Sequence, residues 1–305
     1  MIRVGFLGRS SKLAEIIKLF DSNNEYEVTF IWTSKEAQHH NFSANDFKEL
    51  AQTINCQYIY SPIINQEISI PNTDLVVSMN FISIIPKWFL EKFKYGVINS
   101  HAGNLPKYKG NACPNWAILN DEKEICLTIH VMTEELDSGP IISQEFFTLK
   151  KDTYIGEVYK WLDEIVPNLY FNSVEKIING YLPIEQKGKT LRTFPRKPED
   201  SRLNFNKNLM WNYKIIRASS RPFNGAFCYL NSYENILVIW KAIPIKLNYE
   251  FLAVSGQIIE KFDEEKSFVI GINNQALKIL DYNLNDYSKE ISYSYVCSSM
   301  RNRLI

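Results

Sequence analysis

Short apolar runs alternate with segments of helical periodicity over the first part of the chain. Residues Ile2–Gly8, Tyr26–Trp32 and Leu75–Met79 are almost continuously apolar, as strands buried on both faces of a sheet are. Between them, Ser11–Phe20 and Ala44–Thr53 carry apolar residues at intervals of three and four, the spacing of amphipathic helices. Strands that alternate with helices predict an α/β fold with a mostly parallel sheet.

The same alternation continues to about residue 179. We predict strands or extended segments at Tyr58–Tyr60, Val97–Asn99, Leu127–Thr133 and Ile141–Leu149, and helices at Pro86–Phe93 and Tyr154–Asn179. Pro86 is placed at the first helical position, which proline favours. Gly180, Gly188 and Pro195 then mark a boundary region.

The pattern changes beyond Arg202. One helix, Asn208–Ser219, is followed by β-branched and aromatic runs, and these centre on Phe227, Ile236, Val254, Phe268 and Leu277. Such runs predict a small β-rich, barrel-like domain. Because 305 residues exceed the usual size of a single core, we expect two domains, 1–190 and 200–305.

Composition narrows the class of protein. Lys+Arg and Asp+Glu number 34 each, so the chain has no general attraction for nucleic acid. No apolar run approaches the roughly 18 to 20 residues of a membrane span, and we expect no signal peptide before the first strand. Five scattered cysteines without Cys-x-x-Cys pairs favour reduced thiols over disulfides or a zinc site. These features predict a cytoplasmic protein.

Asn99, His101 and Asp137 are the candidate catalytic residues. A strand-like run ends in Asn99-Ser-His101 and a Gly/Pro-rich loop follows, while Asp137 lies in a second such loop. Chemistry in open α/β sheets collects at the carboxyl ends of strands. Histidine moves protons, asparagine donates to an oxyanion, and aspartate holds and charges the histidine, which together suit acyl transfer to an amine. The alternative is a turn-forming Asn, a surface His and a turn-capping Asp.

The motif as a whole resembles the 10-formyltetrahydrofolate-dependent formyltransferase family. The matching segments, in chain order, are Asn99–His101, Leu105–Gly110, Asn115–Ile118, Asp137–Ile141, Arg196–Asp200 and Ile216–Ala226. The last two match the junction and the start of the family's C-terminal domain. The resemblance extends from about Met1 to Phe227.

The resemblance implies a Rossmann-like, mostly parallel sheet domain followed by a smaller β-rich, barrel-like C-terminal domain. It also implies formyl transfer from 10-formyltetrahydrofolate to an amine, without a metal. Asn99 and a protonated His101 would hydrogen-bond the oxyanion, or a neutral His101 would take the proton of the amine. A nearby Asp137 favours the imidazolium form.

The donor site is also carried over from the resemblance. It implies that the folate contacts Ser83, Ile84, Ile85, Asn111, Thr133, Glu134, Glu135 and Leu136. For Ile84 and Ile85, the alternative interpretation is packing into the hydrophobic core at the start of a helix.

Two further segments are candidates for acceptor binding. Arg9, Ser10 and Ser11 follow the first strand, at a helix N-terminus that can meet a phosphate or a sugar. A serine there is equally well explained as a helix cap. The turn lacks the third glycine of a dinucleotide fingerprint, which argues against a dehydrogenase. After the catalytic strand, Lys107, Tyr108 and Lys109 would face a phosphorylated acceptor.

The predicted acceptor is a dTDP- or UDP-linked amino sugar, of the kind used in lipopolysaccharide O-antigen synthesis. The alternative is methionyl-tRNA, but similar enzymes that use it carry a lysine-rich insertion after the second strand. Here residues 34–46 contain one lysine against two acids. A basic cluster in 187–197 is expected to be a solvated linker. A homodimer is compatible with the sequence.

Two rival functions each predict a different sequence feature. A hydrolase that releases formate from the donor would carry a separate N-terminal domain, and a non-catalytic module would lack one of the three catalytic residues. His39 and His40 are expected in a solvated loop, and His130 is expected to serve packing in a strand.

Overall fold

The computed structural model describes residues 1–35 and 42–305, which form two compact units. The first unit comprises Met1–Cys113, Glu124–Phe147 and Lys160–Thr193. The second comprises Pro114–Lys123, Thr148–Tyr159 and Phe194–Ile305. Two internal segments thus pack with the C-terminal part of the chain, a division that no local pattern in the sequence indicated.

Nine strands and five helices cover the chain as far as residue 193. The strands are β1 Ile2–Gly8, β2 Tyr26–Thr33, β3 Gln57–Tyr60, β4 Leu75–Met79, β5 Val97–His101, β6 Lys109–Gly110, β7 Glu124–Val131, β8 Ile141–Thr148 and β9 Arg192–Thr193. The helices are α1 Ser11–Asp21, α2 Ala44–Thr53, α3 Lys87–Leu90, α4 Cys113–Leu119 and α5 Ile155–Ile178. These counts refer to the described residues.

Seven of these strands form one sheet in the order β3-β2-β1-β4-β5-β7-β8, and β6 pairs with β9 in parallel. The pairs β1–β2, β1–β4, β2–β3 and β4–β5 are parallel, and β5–β7 is antiparallel. The predicted mostly parallel sheet is therefore confirmed. Strands β1, β4 and β5 all end at one edge of the sheet, the edge at which open α/β sheets bind their ligands.

The core of the first unit follows from the apolar runs. Val4, Phe6 and Leu7 of β1 are fully buried, because helices cover both faces of a parallel sheet. In α1, the residues spaced by three and four are buried, and they are Leu13, Ile16, Ile17 and Phe20. The rings of Phe6 and Phe20 meet edge to face, 5.5 Å apart.

Two predicted boundaries differ from the structure. The helix expected over Pro86–Phe93 is the single turn α3, and Pro86 is its N-cap with extended backbone (ψ 151°). The chain leaves the helix after Glu91 and reverses at Gly96, whose φ of +73° suits glycine. The extended segment expected over Leu127–Thr133 is β7, which begins three residues earlier and ends at Val131.

The second unit contains an antiparallel sheet, as the β-rich pattern predicted, but the run predicted around Val254 lies outside its strands. Its strands are β10 Ala226–Tyr229, β11 Ile236–Ile245, β12 Ile258–Phe262, β13 Ser267–Ile272 and β14 Gln275–Leu284, in the order β10-β11-β14-β13-β12. A short 3-10 helix (Pro198–Ser201), α6 (Leu209–Ser219) and α7 (Lys289–Val296) accompany them.

The C-terminal residues give this sheet its barrel-like character. Ile305 exchanges two backbone hydrogen bonds with Tyr229 of β10, of 2.8 and 2.9 Å. Its neighbours in the chain form bridges to both ends of the sheet, Leu304 with Leu230 and Arg303 with Gln257. The same segment therefore pairs next to both edge strands and leaves less of each edge unpaired.

Candidate active site

Strand β5 places the first two candidate residues. Asn99 and His101 are two positions apart, so both side chains lie on the same face of the sheet. In the antiparallel pairing with β7, Asn99 lies opposite His130 and His101 lies opposite Thr128. Opposed residues also share a face, so the strand pair brings two histidines to one side of the sheet edge.

The loop after β5 wraps around the imidazole of His101. Its Nε2 lies 2.6 Å from the carbonyl oxygen of Tyr108, which can only accept, so Nε2 carries a proton and donates it. A Cβ on Gly103 would lie 2.4 Å from that carbonyl oxygen and 2.6 Å from Nε2. Only glycine fits there, and the Thr128 hydroxyl holds the Gly103 carbonyl at 2.8 Å.

Asp137 faces the other side of the same ring. Its carboxylate accepts a hydrogen bond from the Gly110 amide at 2.8 Å and lies 3.5 Å from Nδ1 of His101. Both side chains are about nine-tenths buried. Oxygen acceptors thus face both ring nitrogens of His101. The arrangement can therefore hold His101 as a hydrogen-bond donor.

His130 is a functional candidate that the sequence analysis missed. It was expected to serve packing, but it lines the same cavity, with Nε2 4.0 Å from Asp137. Its Nδ1 donates to the Val131 carbonyl at 2.9 Å, and its buried Nε2 has no hydrogen-bond partner within residues 1–35 and 42–305. Burial lowers the pKa of His130, so the ring is neutral near pH 7. The sequence signal that could have pointed to His130 is its spacing from Thr128: two polar residues lie two positions apart in an otherwise apolar strand.

The thiol of Cys113 also lies beside the imidazole. Its Sγ is 3.6 Å from Nε2 of His101 and donates to the Tyr108 carbonyl at 3.0 Å. Burial raises the pKa of Cys113 to about 11. The thiol therefore stays protonated and is not a nucleophile.

One cavity of about 610 Å³ contains the predicted catalytic and donor-binding residues together. Its lining includes all three catalytic candidates and all eight predicted folate contacts, namely Asn99, His101, Asp137, Ser83, Ile84, Ile85, Asn111, Thr133, Glu134, Glu135 and Leu136. Its volume is within the usual range for small-molecule sites. The half-buried Asn99 side chain makes no hydrogen bond to the part of the chain that the structure describes, so its amide can meet a ligand.

The wall formed by Ser83–Ile85 has two different parts. Ile85 is buried in the hydrophobic core, so core packing explains it well. Ile84 is 92% exposed and lines the cavity, so core packing does not explain it. On the opposite wall, Leu136 is 55% exposed. Exposed apolar side chains inside a cavity suit an aromatic ligand.

The predicted acceptor residues do not line this cavity. Ser10 is the N-cap of α1, and its hydroxyl accepts a hydrogen bond from the Leu13 amide at 3.4 Å. This is the helix-cap role given above as the alternative. Ser11 is the first residue of the helix. The Arg9 guanidinium donates to the carbonyl oxygens of Asn80 and Lys35, at 3.1 and 2.8 Å. These contacts tie the turn after β1 to neighbouring loops.

The second acceptor segment contacts the catalytic loops. Lys109 donates to the Ser138 hydroxyl at 2.7 Å, next to Asp137. Tyr108 is buried and Lys107 lies over its ring, 6.0 Å from the centroid. In this structure the segment supports the geometry of the catalytic residues.

Some sequence predictions concern residues 36–41, which lie outside the described residues. They include His39, His40 and six of the thirteen residues of the loop at 34–46. Within the described ranges, no group of three or more His, Cys, Asp or Glu side chains is arranged to hold a metal ion. None of the helices described is both long and apolar enough for a bilayer crossing.

Comparisons with known proteins show the family to which the chain is similar. A family model described as formyl transferase matches residues 2–174. A methionyl-tRNA formyltransferase of Staphylococcus aureus (strain MW2) is 30% identical over 237 residues, covering 77% of this chain and 74% of that protein. The bifunctional polymyxin resistance protein ArnA of Wigglesworthia glossinidia brevipalpis is 29% identical over 217 residues. That match covers 68% of this chain and only 31% of ArnA.

A solved structure has the same fold. The crystal structure of the N-formyltransferase from Helicobacter canadensis, in complex with folinic acid and dTDP-3-aminofucose, aligns with a TM-score of 0.67. The alignment covers 92% of this chain and 99% of that one, at 20% sequence identity. A likeness at this identity shows the fold.

Proposed function

Since this chain belongs to the formyl transferase family, we propose that it moves a formyl group from 10-formyltetrahydrofolate to the amino group of a nucleotide-linked amino sugar. One observation carries the proposal. Asn99, His101 and Asp137 meet in one cavity at the carboxyl edge of the parallel sheet, beside exposed apolar side chains that suit a pterin.

The reaction makes one C–N bond and breaks another. The amine nitrogen attacks the formyl carbon, and the carbonyl electrons move to oxygen. The Asn99 amide and the His101 ring donate hydrogen bonds to that oxyanion. When the carbonyl re-forms, the bond to N10 of the folate breaks. The proton lost by the amine is taken up at N10, which yields a formamide and tetrahydrofolate.

The contacts of His101 support the donor role over the role of base. Nε2 is already committed to the Tyr108 carbonyl, so the second nitrogen is the one left for the reaction. Nδ1 is 3.5 Å from the Asp137 carboxylate, a distance longer than a good hydrogen bond. In the proposed donor role, Nδ1 is therefore the ring nitrogen that donates to the oxyanion, with the Asp137 carboxylate beside it.

Charge supports a small acceptor over a nucleic acid. The chain has a formal net charge of zero, and residues 34–46 hold one lysine and two acids. Binding of nucleic acid depends largely on neutralising phosphates, which this composition does not favour. An amino sugar linked to a nucleoside diphosphate needs few cations. A cytoplasmic location, where such acceptors and the folate would be available, stays a prediction.

A second candidate acceptor is methionyl-tRNA. It is favoured by the relative from Staphylococcus aureus, which matches this chain at 30% identity. If methionyl-tRNA were the acceptor, Lys and Arg side chains would have to cluster on the surface around the cavity, because the chain as a whole has no net positive charge.

A direct assay separates the two acceptors. The purified protein is incubated with 10-formyltetrahydrofolate and a panel of dTDP-, UDP- and GDP-linked amino sugars, or with methionyl-tRNA at about 150 mM salt, a concentration that weakens phosphate contacts. Mass spectrometry is expected to show one formyl group added to one sugar. Efficient formylation of the tRNA would replace the sugar by the alternative. With neither product, the proposed acceptors are withdrawn.

A further inference from the structure

A segment that overlaps the basic cluster at 187–197, which was expected to be a solvated linker, returns to the candidate catalytic residues. We call residues 184–193 the return segment. Ile184 exchanges two backbone hydrogen bonds with Ile141, of 2.7 and 2.8 Å, and β9 at the other end of the segment pairs with β6. Between these two anchors, the segment passes the turn that carries Asp137.

Gln186 makes the contact with that turn. Its Nε2 donates to the carbonyl oxygens of Asp137, at 2.9 Å, and of Gly139, at 2.8 Å. One amide group thus holds both sides of Ser138. Its Oε1 is buried and has no hydrogen-bond partner among the residues that the structure describes. Leaving a buried acceptor unpaired costs free energy. The two hydrogen bonds that the amide donates are therefore the interactions that favour Gln186 at this position.

The turn needs such support because its backbone is unusual. Asp137 has a φ of +50°, a conformation that costs a residue other than glycine roughly 1 kcal/mol or more. A Cβ on Gly139 would lie 1.8 Å from the Val131 carbonyl oxygen, so the turn is pressed against the end of β7. A small rotation of this turn would move the carboxylate away from His101.

We propose that Gln186 is a positioning residue for the reaction, acting through Asp137. It fixes the two carbonyl groups of the turn, and the turn aims the carboxylate at the Gly110 amide and the His101 ring. The inference rests on the proposed formyl transfer for its kinetic test only. The geometric claim, that Gln186 sets the surroundings of His101, is tested separately.

The kinetic test compares two matched substitutions. Q186E keeps the size of the side chain but removes both donors, and the charged oxygens would repel the two carbonyls. The control is Q57E, since Gln57 also donates to one backbone carbonyl, at 2.9 Å, on an exposed surface outside the cavity. We expect Q186E to lower kcat about 10- to 100-fold, as small misplacements of catalytic groups do. KM for 10-formyltetrahydrofolate should stay unchanged, and Q57E should behave as wild type.

The second test needs no substrate. The chain has four histidines, so the imidazole ¹⁵N signals are few and can be assigned with His101 and His130 variants. We expect Q186E to shift the signals of His101 and His130, and Q57E to leave them in place. If Q186E folds poorly, Q186N, which keeps the amide on a shorter stem, is used and should shift the same signals.

The outcomes separate the two proposals. A folded Q186E protein with wild-type kcat and unchanged imidazole signals overturns the positioning role. Reduced thermal stability with unchanged kcat and signals also overturns it, because it shows support for the fold alone. A wild-type protein that transfers no formyl group to any tested amine contradicts the proposed function, while the imidazole signals still decide the role of Gln186.

Discussion

The two halves of the cavity are built differently. The catalytic half, with His101 and Asp137, is about nine-tenths buried, and hydrogen bonds from two loops hold the groups in place. The donor-binding half is open, with Ile84 92% exposed and Leu136 55% exposed. On the proposed function, the reacting groups would be organised before substrate arrives, whereas the ligand itself would cover the apolar wall.

The elements explain the difference. The catalytic groups lie on paired strands and on turns that contact them, so each position is determined by several backbone hydrogen bonds. The exposed wall lies on the loop after β4 and the loop after β7, which have fewer partners. Substitutions in the first half should therefore act on kcat, and those in the second half on KM.

The largest effect is expected at the oxyanion donors. H101A should lower kcat by about 10³-fold and N99A by about 10²-fold, because each removes a donor to the developing charge. Steady-state kinetics with the accepted amine, together with circular dichroism to check folding, measures this. Near-wild-type turnover in folded H101A would falsify the proposed chemistry.

Removal of the negative charge beside the imidazole should have the next largest effect. D137N keeps an oxygen that can accept from Gly110 but removes the negative charge beside the His101 ring, so kcat should fall about 10- to 100-fold. D74N is the matched control, because Asp74 pairs with Arg3 at 2.9 Å outside the cavity. Wild-type turnover in D137N would show that Asp137 is only a turn residue.

A smaller effect is expected on the open wall. I84S should raise KM for 10-formyltetrahydrofolate about 10-fold with kcat unchanged, since covering an isoleucine contributes about 1.5 to 3 kcal/mol. I63S is the control, because Ile63 is also exposed, at 63%, but does not line the cavity. Equal KM values for the two variants would show that the donor does not cover Ile84.

The smallest effect concerns Ser10, where the structure favours a cap over substrate binding. S10A should lower the free energy of unfolding by about 1 kcal/mol, measured by urea denaturation, and leave KM for the acceptor unchanged. Ser43 caps α2 with the same side-chain contact, so S43A should cost a similar amount. A rise in KM for the acceptor in S10A alone would restore Ser10 to the binding site.

Local patterns were enough to predict the strands of the seven-stranded sheet and to single out three candidate catalytic residues. Apolar runs mark β1, β2 and β4 because strands buried on both faces leave few positions for polar side chains. The Asn99-x-His101 spacing places both side chains on one face wherever it occurs in a strand. Both signals act within a few residues, so the sequence carries them without knowledge of the fold.

The remaining features depend on contacts between distant segments. His130 enters the site because β7 pairs with β5 in one register, and a shift by one residue would turn it to the other face. Gln186 reaches the Asp137 carbonyl across 49 positions in the chain, and residues 303–305 pair beside β10 and β12 only once that sheet has formed. Such pairings depend on the three-dimensional path of the backbone, which periodicity does not encode.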